Sequence, residues 1–378
     1  MIADGLSAVA FAGGTSILDE RRQRVHVCNE TAGAMWRMLA EGLPEADVVA
    51  ALAEHYAVPP HRVANDLASA RSQWREAGLL REGEDAGSSP GVAARDSPNR
   101  GEPRSNAYEL GGFAFELSGD EAVVLDHLEA TLEPFRSDED SPRCRVEVGT
   151  DSSAAPFVLL EDGIERLRCA NAAEMIGGVF QFLLQRVRPD SEWMALIHAA
   201  AVRSPDGRAI VLPGDGGSGK STLAAWLSRR GFGFLADDMV ALDTRDRVVP
   251  WPLPHSIKRG SWAALAPTFP ELARLPSRIV NSRELKFVAA PQAAWDAPPA
   301  PVGALVFPSY GARAEPGLEP LSLLGTMERL FGGRMWLGAR LTPDRIEAFV
   351  RWLEPIPTYA MTYATLQEAE DFMRSVIA

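Results

Sequence analysis

Cysteine is scarce in this chain. Its 378 residues include only Cys28, Cys144 and Cys169. Three widely spaced thiols offer neither a disulfide framework nor a zinc-ligand spacing, which points to a reducing compartment. Long apolar runs are missing as well, and none approaches the roughly 20 residues that cross a bilayer. The first residues, Met1-Ile2-Ala3-Asp4-Gly5, lack the basic segment and apolar core of a secretory signal. The expectation is a cytoplasmic protein with no membrane partner. Positive charge is in short supply: 38 Lys and Arg stand against 51 Asp and Glu, a net charge of -13. That argues against a general binder of nucleic acid or anionic membranes. Internal repeats are absent too. What is present is an ordinary globular composition, 46% hydrophobic, over a length that suits two or three domains.

Residues 1–82 read as a compact first unit. Ser7 to Phe11 and Thr15 to Leu18 are short strands around Gly13-Gly14, and Arg24-Val25-His26-Val27-Cys28 alternates as a third. Asn29 is placed to cap a helix that runs to Gly42. Pro44 sits where a first helical residue should, and Val48, Val49, Leu52 and Tyr56 give the next helix its apolar face. Pro59-Pro60 opens a third helix with Val63, Leu67, Ala70 and Trp74 on one stripe, ended by Gly78. Three small strands and three helices make a winged-helix-like build.

Residues 83–105 are rich in Gly, Ser, Pro, Asp and Arg and read as a flexible linker. The second unit covers 106–378. Strands are expected over Tyr108 to Leu117, Val146 to Val148, Phe157 to Leu160, Leu167 to Cys169 and Leu196 to Val202. Further strands are expected at Ala209 to Leu212, Phe234 to Asp238, Gly303 to Pro308 and Thr358 to Thr362. Helices are expected over Glu174 to Val187, after residue 222, and over Leu321 to Phe331, Pro343 to Leu353 and Gln367 to Ile377. Strands mixed with helices predict an α/β or α+β domain around a central sheet.

The strongest chemical signal is Gly214-Asp215-Gly216-Gly217-Ser218-Gly219-Lys220-Ser221-Thr222. An apolar strand precedes it and a helical pattern follows, the context a phosphate-binding loop requires. Its glycines would let successive N–H groups cradle phosphate oxygens at a helix N-terminus. Lys220 would reach the outer phosphates, and Ser221 would ligate Mg²⁺. Asp237 and Asp238 close an apolar strand shortly after that helix, supplying carboxylates for a metal and for a nucleophile. His198 lies in the strand that leads into the loop. Lys258 and Arg259 follow the prolyl segment Pro252-Leu253-Pro254-His255 and could clamp phosphate charge, with Lys286 a weaker candidate.

His198 through Asp238 resembles the catalytic core of the HPr kinase/phosphorylase family. The matching features are the histidine strand, the hairpin, the loop, Arg230-Gly231 and Leu235-Ala236-Asp237-Asp238; Val306-Phe307-Pro308 and Tyr359 to Tyr363 resemble later stretches. The resemblance implies a fold related to phosphoenolpyruvate carboxykinase and ATP-dependent phosphorylation of a protein serine. It implies that Ser221 and Asp238 hold Mg²⁺, that Asp237 is the base for the acceptor hydroxyl, and that His198 sits beside it. The family's Glu-x-x-Arg-Gly signature is missing; Ser256-Ile257-Lys258-Arg259-Gly260 is the nearest stretch. The resemblance therefore implies neither a further acidic ligand, nor the phosphorylase reaction, nor HPr as substrate.

The first unit resembles PqqD-like domains, which bind leader peptides of ribosomally made natural products. The resemblance rests on Val25-His26-Val27-Cys28-Asn29-Glu30-Thr31-Ala32, Trp36, Val58-Pro59-Pro60 and Ala77-Gly78-Leu79-Leu80. It implies that a leader adds as a strand to Arg24-Val25-His26-Val27-Cys28, beside helix 61–76. A winged-helix DNA binder is disfavoured, because no helix here carries a basic stripe. Together the two resemblances imply an ATP- and Mg²⁺-dependent kinase of a Ser or Thr in a precursor peptide, akin to lasso-peptide tailoring kinases. Two rivals are a small-molecule kinase with a regulatory N-terminal module and a non-catalytic, nucleotide-switched binding protein. The peptide, the acceptor residue, the donor nucleotide, transfer of a group larger than phosphate and homo-oligomer formation stay open.

Overall fold

The computed structural model describes residues 2–80, 100–138, 142–280, 283–333, 335–338 and 340–377. The first unit is a three-stranded antiparallel sheet, β1 (Leu6–Phe11), β2 (Gly14–Asp19) and β3 (Arg24–Asn29), followed by α1 (Glu30–Ala40), α2 (Glu45–His55) and α3 (Pro60–Glu76). Asn29 caps α1 by accepting the Ala32 N–H at 2.9 Å. Pro44 precedes α2 as its cap instead of opening it.

The second unit opens with a five-stranded sheet in the order of the chain. It contains β4 (Arg100–Leu110), β5 (Phe113–Glu121), β6 (Cys144–Thr150), β7 (Phe157–Glu161) and β8 (Ile164–Cys169), with α4 (Ala122–Leu132) and α5 (Ala172–Val187) packed on it. Tyr108 to Leu117 is not one strand: Gly111 and Gly112 have φ of 56° and 81° and turn the chain into a hairpin. Of the expected linker, 83–99 lies outside the described residues, and 100–105 belongs to β4.

The larger sheet has ten strands. Introduced in chain order, its first part comprises β9 (Trp193–Ile197), β10 (Ala199–Arg203), β11 (Ala209–Pro213), α6 (Lys220–Ser228), β12 (Gly233–Ala236), β13 (Val240–Asp243) and β14 (Arg247–Val249). A separate three-stranded sheet of β15 (His255–Lys258), β16 (Arg278–Val280) and β17 (Arg283–Val288), with the short α7 (Trp262–Leu265), interrupts it. The chain then returns as β18 (Ala300–Tyr310), β19 (Gly317–Pro320), α8 (Leu323–Gly332), β20 (Met335–Trp336), α9 (Pro343–Leu353), β21 (Thr358–Tyr363) and α10 (Leu366–Val376). The order is β12-β10-β11-β18-β14-β13-β9-β20, with β21 beside β18 and β19 beside β21. β11, β18 and β21 run parallel.

The strand expected over 196–202 is broken at His198. Its first half pairs with β13 and its second half with β11 and β12, so two parts of one extended run stand at separate places in the ladder. The sheet therefore curls back on itself, and the break falls beside the loop.

The two units share a core. Leu18 and Val9 pack into the cluster of the second unit, with Phe11, Val25 and Val27 half-buried against it. Side chains alternate along a strand, so Ile17 points the other way, toward Met35, Trp36 and Leu52. All six residues of β2 are buried. β3 lies on α8 and β1 on α9, and the Gln23 side chain accepts the Leu341 N–H at 2.6 Å.

Candidate active site

The loop joins β11 to α6. Gly219 caps the helix in the left-handed region, at φ 102°. Only glycine fits, because a Cβ there would also collide with the Tyr363 hydroxyl. Lys220 opens the helix and is buried. Its amine donates to the carbonyls of Gly214 (2.5 Å) and Asp215 (2.9 Å), and lies 3.5 Å from His198 Nε2. Burial pushes this amine below the usual lysine range, opposed by Asp237 and Asp238.

The two aspartates have different surroundings. Asp237 is 1% exposed. Its Oδ1 accepts the Ser221 hydroxyl at 2.9 Å and the Asp238 N–H at 3.0 Å, and its Oδ2 accepts the Ser256 N–H at 3.4 Å. Ser221 is thus partnered with Asp237. Asp238 follows at φ 68°, an uncommon conformation for a non-glycine residue and one that concentrates at functional sites. Its side chain is 52% exposed, with Oδ1 3.3 Å from His198 Nδ1. That nitrogen also lies 2.9 Å from the Asp238 carbonyl. A carbonyl can only accept, so Nδ1 carries the proton and Nε2 offers its lone pair toward Lys220.

The remaining candidates separate. Lys258 ends β15, and burial and Arg283 hold its amine down, opposed by Asp238 and Asp237. Arg259 is exposed and bonds Glu284 at 2.9 Å. Lys286 is tied to the Leu272 carbonyl at 2.6 Å and to the Trp262 ring, a structural role. Thr222 shares a 2.7 Å hydrogen bond with Ser261.

Two residues, Arg283 and His127, were not singled out in the sequence, and His255 was named there only within the prolyl segment. Arg283, at the start of β17, reaches the loop tip: a Cβ on Gly216 would stand 3.6 Å from its guanidinium. His255 is buried beside Asp237, Nδ1 to Oδ2 3.7 Å, with its ring against Phe234. His127 of α4 feels the charge of Asp238, while burial pushes its imidazole below the ordinary range. Spacing could not reveal them, because each comes from a separate strand or helix. Among the described residues, no group of three or more His, Cys, Asp or Glu side chains converges as a metal site.

Arg24 to Cys28 occupy β3, which pairs with β2 along one edge. No other described strand pairs with it. Val25 and Val27 face the second unit; Cys28 packs with the helices, its thiol donating to the Thr15 carbonyl and pushed up to about 11 by burial. Burial also lowers His26.

Residues 14–80 match the family described as coenzyme PQQ synthesis protein D (PqqD). A solved structure titled "TbiB1 in Complex with the TbiA(beta) Leader Peptide" shares 20% identity, over 22% of this chain and 98% of that one, with a TM-score of 0.21. No curated protein matches. No helix among the described residues is long and apolar enough to cross a membrane. Residues 14–80 form a PqqD domain.

Proposed function

We propose that this protein is an ATP- and Mg²⁺-dependent kinase of the HPr kinase type, which phosphorylates a Ser or Thr of a ribosomal precursor peptide. The observation that carries the reading is the split of the two aspartates beside the loop, Asp237 on Ser221 and Asp238 on His198. Ser221 and Asp237 suit Mg²⁺, which takes one or two carboxylates and completes its shell with phosphates and water. Bound Mg²⁺·ATP would supply the γ-phosphoryl group, with the metal offsetting its charge.

The chain's own residues do the rest. Loop N–H groups and the α6 N-terminus hold the phosphates. Lys220 exchanges its loop carbonyls for phosphate oxygens. Asp238, open to solvent, accepts the proton of the acceptor hydroxyl, and His198 holds that carboxylate in place. Lys258 and Arg283 offset charge at the loop tip. This reverses the roles that the resemblance implied for the two aspartates.

The PqqD domain would hold the leader as a fourth strand on β3. The interface also favours a direction. Gly13 lies against Leu324 at the start of α8, whereas Gln23 binds Leu341, and α8 leads to β20, whose Met335 pairs with Ile197 next to His198. A leader antiparallel to β3 leaves its C-terminal end at Arg24, toward that side. Its core would then reach the site at a raised effective concentration.

Incubation of the protein with Mg·ATP and the precursor peptide should add the mass of one phosphate. No change with wild type, or the same yield with Lys220→Ala, would sink the kinase reading. A precursor without its leader that reacts equally well would sink the PqqD role.

A further inference from the structure

The loop has two flanks. On the β10–β12 side stand His198, Asp237 and Asp238. On the other side β18 and β21 end together, with Tyr310 paired to Tyr363 in parallel register. Paired residues of parallel strands face the same side, and the two rings lie 5.7 Å apart. Tyr363 is 1% exposed and sits under Gly219. Tyr310 is 54% exposed, although its backbone is fixed: its N–H donates to the Ser218 carbonyl at 3.2 Å. A Cβ on Gly219 would lie 3.5 Å from the Tyr310 Cβ. The remaining exposed large apolar side chains among the described residues are Tyr56, Ile164 and Ile279, which belong to α2's end, β8 and β16.

A nucleotide's phosphates cross such a loop in one direction. Lys220 and the two aspartates fix where the terminal phosphate goes. The nucleoside end must then leave on the opposite flank, where the ring pair stands. We propose that Tyr310 is the stacking platform for the nucleobase, with Tyr363 as the buried support that keeps its ring beside the helix N-terminus. This rests on the phosphate-loop reading above. A nucleobase stacks on an aromatic face through its π system, whichever base it is. The platform therefore adds affinity for nucleoside triphosphates over bare polyphosphate, and depends on an aromatic ring but not on the Tyr310 hydroxyl.

The test is calorimetric titration of the full chain with Mg·ATP and with Mg·tripolyphosphate. Wild type should bind ATP more tightly than tripolyphosphate. Tyr310→Ala should weaken ATP about tenfold or more and leave tripolyphosphate unchanged, while Tyr310→Phe and Tyr310→Trp should bind ATP as wild type does. Tyr310 is exposed, so thermal unfolding of these variants should match wild type. Equal binding of the two ligands by wild type, or unchanged ATP affinity in Tyr310→Ala, would overturn the platform alone. Failure of wild type to bind either ligand would overturn the phosphate loop with it.

Discussion

At the scale of single residues, the two aspartates make separable predictions. Asp237→Asn should raise the Mg²⁺ concentration needed for half-maximal rate, because Ser221 loses its carboxylate partner. Asp238→Asn should lower kcat about 10²- to 10⁴-fold, the usual worth of a general base, with ATP affinity little changed. Steady-state kinetics over a Mg²⁺ series separates the two. The histidines give a pH prediction. Burial lowers His26 and His127 in the fold, so below their ordinary value of about 6.5 the unfolded chain binds more protons. Their share of stability is intact above that pH and is lost as pH falls through it. The melting temperature should drop between about pH 7 and 5.5, and His26→Gln with His127→Gln should flatten that slope. The grouping of Lys220, Ser221, Asp237, Asp238 and His198 beside the loop was legible in the sequence, and the five do converge. The partner of Ser221 was not legible, because adjacent residues at a strand end cannot be told apart until the turn is known. Here Asp238 leaves β12 at positive φ, and that turn sends its carboxylate outward.

At the scale of elements, caps and glycines decided what could be read. Asn29 announces α1, and Asn29→Ala should cost about 1 kcal/mol in urea unfolding. Gly219→Ala meets both a left-handed backbone and the Tyr363 hydroxyl. It should cost about 1–3 kcal/mol for the backbone alone and abolish nucleotide binding. The helix α4 was not read in the sequence. Val124, Leu125, Leu128, Ala130 and Leu132 are all buried, and the polar stripe beside them is short, Asp126 and Glu129, both held by Arg104. The sheet of β15 to β17 was hidden by the charges of Arg278, Arg283, Glu284 and Lys286, which blur a strand's alternation. The break at His198 was invisible too, because both halves of its strand are equally apolar.

At the scale of the whole molecule, the sequence suggested a module at 1–82 followed by a flexible linker, and in the structure β3 and β1 of that module rest on α8 and α9. Leu18→Ala should therefore cost about 2–4 kcal/mol and loosen the two units as well as the PqqD domain, seen as a split in the thermal transition. A fragment of residues 1–80 should self-associate in sedimentation, because its sheet would carry an apolar face with nothing over it. The same face governs how such a protein could be re-addressed. Exchanging the PqqD domain to alter the peptide preference proposed above is not a matter of cutting at 81–99. A transplanted unit would have to bring equivalents of Val9, Leu18, Val25 and Val27. A graft chosen for its binding edge alone would leave α8 and α9 uncovered, and the chimera would be recovered as aggregate before its new specificity could be assayed.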